Sequence, residues 1–141
     1  MWEYTLKLIG EQPLWGYGSR SFPALFEIQT GLWKGHSHNL PLELMVSYGI
    51  PATLFLLIPI TYLVLKCYFK LFVINKRINK YTIIDQSWLV SLLLLILMQL
   101  VDIQYFDGKI SITGWVLLAG VRNILLNKDI YKGKEEFSKN N

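Results

Sequence analysis

A chain of 141 residues in which 52% are hydrophobic, 14% aromatic and only 17% charged is rich in apolar residues and poor in charge for a soluble domain of its size, which points to a lipid bilayer. The formal net charge of +4 does not indicate nucleic acid, because the basic residues bunch at the ends of apolar runs and form no groove-sized patch with interleaved aromatics. The one cysteine, Cys67, excludes an internal disulfide and sits in an apolar run beside Lys66.

The opening stretch, MWEYTLKLIGEQPLWGYGS, has neither a basic n-region nor a continuous apolar h-region, so it is not a secretory signal. Either later helices export the first 48 residues, or the chain is the C-terminal portion of a longer protein. Trp2, Leu6 and Ile9 recur at helical spacing with Glu3 and Lys7 between them, which predicts a short helix over residues 2–10 lying on the membrane surface. Residues 13–37 read as loop, with Gly16 and Gly18 as turn formers between Pro13 and Pro23. Asn39 is a good N-cap and Pro41 is tolerated in a first turn, so a helix is expected from Leu40 toward Tyr48.

Three membrane spans follow, over residues 50–69, 87–101 and 110–126. At 1.5 Å per residue the first is long enough to cross a hydrocarbon core of roughly 30 Å. Pro51 falls in its first turn, and Pro59 is interior and predicts a kink. The third crosses if Arg122 reaches back to the headgroups. The stretch KCYFKLFVINKRINK, from the end of the first span onward, holds Lys66, Lys70, Lys76, Arg77 and Lys80 with no acidic residue, which the positive-inside rule assigns to the cytoplasm. The expected organisation is therefore an all-α integral membrane protein. Residues 1–48 form a periplasmic loop with short helices, residues 49–126 the membrane domain, and residues 127–141 a polar, frayed cytoplasmic tail.

His38, at or just before a helix N-terminus, is the leading candidate for chemistry. The partial positive charge there disfavours imidazolium and leaves a neutral ring able to accept a proton; the alternative is a histidine that only caps or packs at the interface. Glu43 reaches a ring nitrogen of His38 only if the helix start bends back. His36 and His38 point the same way on an extended segment, and with Glu43 they offer two nitrogens and an oxygen to zinc. H-x-H beside a distant Glu lacks the spacing of a known zinc site, however, and no metal is expected. Arg20, in GYGSRSF, suits a phosphate, or equally a lipid headgroup. Lys34 beside Trp33 reads as an interface anchor. Asp102 and Asp107 flank the turn between the last two spans; they suit acid and base roles in sugar chemistry, but the favoured reading is that they solvate the turn or pair with Lys109.

Taken together, PLWGYGSRSF and HNLPLELMVSYGIP, followed by a span and a basic loop, resemble the last third of the bacterial O-antigen ligase family, which includes O-antigen polymerases and protein O-oligosaccharyltransferases. His38 and Asn39 are followed by nine residues and Gly49, as in the family pattern, while Ala52 stands where the family has Gly, Thr or Tyr. The arginine that commonly precedes the family's Trp has no counterpart before Trp2, and Arg20 does not match its position.

The resemblance implies a fragment of a protein with about ten to twelve spans. It also implies a reaction without metal or cofactor, in which a glycan on undecaprenyl pyrophosphate passes to a hydroxyl on lipid A core, a growing glycan or a protein. His38 would be the base, with Arg20, Asn39, Glu43 and His36 as substrate-binding candidates. Implied partners are the lipid-linked donor, the acceptor, membrane lipids and the missing N-terminal half, with no nucleic acid, and the implied location is the bacterial inner membrane. A non-catalytic membrane remnant or small interaction protein is the alternative, as is a transporter-like relative. The transporter reading has little support, since Asp102 only borders a predicted span and no acidic residue is central to one.

Overall fold

A computed structural model describes residues 1–74 and 80–126; the expectations for Lys76, Arg77 and the 127–141 tail lie outside the described residues. Among those residues the chain is helical with no strand, and three of its helices are long and apolar enough to cross a membrane. The elements are α1 (Trp2–Glu11), α2 (Ser21–Thr30), α3 (Leu40–Tyr68, continued by a π-helical stretch over Phe69–Ile74), α4 (Lys80–Met98) and α5 (Gly108–Leu126).

The amphipathic helix expected at residues 2–10 is α1, but its inward face differs from the predicted stripe. Thr5, Leu8 and Ile9 are buried, while Trp2 and Leu6 face outward. Residues 13–37 are not all loop, as the α2 helix shows. Pro23 is the third residue of α2, where its missing N–H has no intrahelical partner to lose, and Phe22 and Phe26, one turn apart, are buried on one face. Gly31, with φ 70°, closes α2 by donating its N–H to the Glu27 carbonyl at 2.8 Å. Leu8, Ile9, Phe22, Phe26 and Val46 form one apolar cluster that docks α1 and α2 on the start of α3.

As expected, α3 begins at Leu40, where Asn39 Oδ1 accepts the Leu42 N–H at 3.1 Å. The departure from helical geometry in α3 is at Gly49 (φ 81°, ψ 169°), not at Pro59. Two helical bonds fail there. Pro51 has no N–H to give the Ser47 carbonyl, and the Ile50 N–H turns away to the Pro13 carbonyl at 2.8 Å. The loop before α2 replaces both, since the Tyr17 and Gly18 N–H groups donate to the Val46 and Ser47 carbonyls at 2.8 and 2.9 Å. This exchange needs close backbone approach, and a Cβ on Gly16 would lie 2.5 Å from the Val46 carbonyl oxygen.

Helices α3, α4 and α5 alternate in direction and share a second cluster of Val64, Cys67, Leu71, Leu89, Leu92, Val121 and Ile124 at the far end from α1. Lys70 Nζ donates to the Ile124 carbonyl at 2.5 Å, tying the end of α3 to the end of α5. Much of the apolar surface of the three long helices is uncovered: only 17%, 17% and 11% of their most apolar windows are buried within the chain.

Candidate functional site

The start of α3 and the loop joining α4 to α5 meet through backbone hydrogen bonds. The Leu40 N–H donates to the Gln99 carbonyl at 2.9 Å, and Asn39 Nδ2 to the Leu100 carbonyl at 3.0 Å. Buried Gln99 then shapes the loop, because its Oε1 accepts the N–H groups of Gln104 and Tyr105 at 3.1 and 3.3 Å. Asp102, within that loop, is thereby brought to His38, and its Oδ1 lies 2.9 Å from His38 Nδ1.

The histidines stand on a tightly held segment. Ser37 is fully buried, so the alternating backbone places His36 and His38 on the same outward side, with ring centroids 4.3 Å apart. Four interactions fix this segment. Buried Glu43 accepts the Ser37 N–H at 2.9 Å, Trp2 Nε1 donates to the Ser37 carbonyl at 2.9 Å, Ser37 Oγ donates to the Asn39 carbonyl at 3.1 Å, and the His38 N–H donates to His36 Nδ1 at 3.3 Å. They hold His38 at φ 57°, a left-handed conformation that a non-glycine residue adopts only when its surroundings impose it.

An ionised carboxylate only accepts hydrogen bonds, so its contact with Nδ1 places the His38 proton on that nitrogen. Nε2 keeps its lone pair, and the ring is half-exposed, so the free nitrogen is open to a reactant. Asp102 stays ionised to low pH. The hydrogen bond from His38 holds its carboxyl below the usual carboxylate range, opposed by partial desolvation and reinforced by the Ile103 N–H.

The residue facing the His38 ring is therefore Asp102. Glu43 does not reach the ring, because its carboxylate is engaged by the Ser37 backbone inside the fold. Asp102 does more than solvate its turn. Asp107 fits the turn reading, with Oδ1 accepting the Lys109 and Ile110 N–H groups at 2.8 and 3.3 Å at the start of α5. In Asn39 both the amide oxygen and nitrogen are engaged by backbone. Arg20 is exposed in a left-handed conformation and makes no ion pair among the described residues. Sequence reasoning missed Trp2, Ser37 and Gln99 as parts of the site. Their contacts are with backbone atoms far along the chain, and no local spacing announces them.

Beside this cluster a cavity of about 600 Å³ runs along α3 from Leu40 to Leu65, walled by α4 and α5. Ser19, Arg20, Glu43, Ser47 and Gln99 contribute polar groups, while leucine and isoleucine side chains of the three helices supply most of the remainder. Such a lining suits an apolar chain bearing a polar head.

No curated protein and no solved structure matches the chain. Residues 1–57 match the O-antigen ligase family. That segment contains α1, α2, both histidines and Gly49, and over it the chain is similar to the O-antigen ligase family.

Proposed function

We propose that the chain serves glycan transfer at the outer face of the bacterial inner membrane, moving a glycan from undecaprenyl pyrophosphate to an acceptor hydroxyl such as one on lipid A core. The observation that carries this reading is the His38–Asp102 hydrogen bond, which leaves Nε2 as a proton acceptor. In the reaction, Nε2 takes the hydroxyl proton as the acceptor oxygen bonds to the anomeric carbon. The bond from that carbon to the pyrophosphate breaks, and the leaving group departs with the electron pair. Asp102 stabilises the imidazolium so formed, and Arg20, on the cavity wall, supplies positive charge for the departing anion. The cavity takes the apolar tail of the donor. No metal or cofactor enters these steps.

The orientation follows from charge, with Lys66 and Lys70 near the end of α3 on the cytoplasmic side and residues 1–48 outside. The uncovered helix faces favour further membrane helices packing around these three to complete the enzyme. The same exposure supports a second reading, a non-catalytic membrane protein whose helices serve only to bind others. The test compares wild type and His38→Ala in membranes where the wild type supports transfer. Transfer is expected to be abolished while lipid-linked donor still binds, and undiminished transfer by His38→Ala rejects the catalytic role. Supplying lipid A core or a growing glycan as acceptor distinguishes a ligase from a polymerase.

A further inference from the structure

His36, His38 and Asp102 each present a donor atom within 4.8 Å of the other two. His38 Nδ1 is 2.9 Å and His36 Nε2 3.9 Å from the same carboxylate oxygen. Donors around a tetrahedral zinc ion, at bond lengths of about 2.0–2.1 Å, lie about 3.3 Å apart, so the three groups need shifts of less than about 1 Å to close on an ion. Two imidazoles and a carboxylate form a donor set suited to zinc and its neighbours, and the exposed side leaves a fourth position for water. The protein part is already ordered: the burial of Ser37 and its bonds to Glu43 and Trp2 fix the two histidines, and Gln99 fixes the loop of Asp102.

We propose that His36, His38 and Asp102 bind a divalent transition metal of the zinc type, and that this ion shuts off the proton transfer assigned to His38. The second half rests on the general-base reading, and the first does not. Binding moves protons within the rings. His36 accepts the His38 N–H at Nδ1, so its neutral ring carries a proton on Nε2; ligation through Nε2 shifts that proton to Nδ1 and breaks a bond that is long, at 3.3 Å. His38 ligates through Nδ1, and its proton moves to Nε2. The nitrogen that served as proton acceptor then becomes a donor, and base catalysis stops. Asp102 changes from hydrogen-bond acceptor to ligand.

The experiment uses the full chain purified in detergent, titrated with Zn²⁺ by calorimetry and with Co²⁺ by visible absorption. Saturable binding of one ion per chain is expected, with affinity falling about tenfold or more in His36→Ala and in Asp102→Asn. The same loop's other carboxylate provides the control, with Asp107→Asn retaining binding. Absence of saturable binding by the wild type, or affinity unchanged in both His36→Ala and Asp102→Asn, overturns the metal site. Zn²⁺ is also added to membranes active in transfer. Inhibition that chelation reverses supports mutual exclusion, and full activity at saturating Zn²⁺ overturns it. Loss of transfer in metal-free His38→Ala tests the general-base reading separately, so the two failures are distinguishable.

Discussion

His38 Nδ1 and Asp102 Oδ1 lie 2.9 Å apart across 64 positions of sequence, one on the approach to α3 and the other in the loop between α4 and α5. The contact fixes which ring nitrogen of His38 is free and ties the N-terminal segment to the last pair of long apolar helices.

Replacing Asp102 by Asn removes the charge that compensates the imidazolium while keeping the side chain's shape. Transfer is expected to fall by about 10²-fold or more, a typical share for general-base catalysis, with donor binding retained. Initial rates at saturating lipid-linked donor check this, and an unchanged rate argues that Asp102 only shapes its turn.

The pH dependence of stability follows from the Asp102 contact. Asp102 has a lowered folded value, so the stability its contact lends is present above the ordinary carboxylate range. That stability is lost as pH falls through the lowered value, below about pH 4. Helical circular dichroism followed from neutral to acid pH should therefore show the loss only at the acid end, and Asp102→Asn should remove that dependence.

Glu43 acts through the Ser37 backbone. Glu43→Leu leaves that buried N–H without an acceptor at a cost of about 1–3 kcal/mol and releases the conformation of His38, whereas Glu43→Gln retains an acceptor oxygen. Thermal unfolding in detergent should rank wild type and Glu43→Gln together above Glu43→Leu. If the leucine variant is as stable as wild type, the hydrogen bond contributes nothing.

Gly49→Ala tests the seam between the loop before α2 and helix α3. The added Cβ would run into the backbone of Leu14 and Trp15, at a position whose φ is already left-handed. Loss of about 2 kcal/mol or more is expected, from conformational strain and steric overlap together. Ala replacing the exposed Gly18 meets no atom within 4 Å and provides a comparison limited to backbone strain.

The sequence by itself determined the features governed by local composition. Three long apolar runs make three long helices, and Asn39 and Pro41 start α3 at Leu40. Each depends on neighbours within a few residues or on the free energy of burying a run of apolar side chains. Helix α2 escaped this reading because its prolines and glycines resemble loop punctuation, while its stability comes from burying Phe22 and Phe26 against other elements. Only the tertiary structure decided that Asp102, not Glu43, faces His38. That choice rests on the Leu40–Gln99 and Asn39–Leu100 hydrogen bonds, which bring the α4–α5 loop onto the start of α3. Pairing across such a separation depends on how the helices pack, because chain spacing does not constrain which loop arrives there.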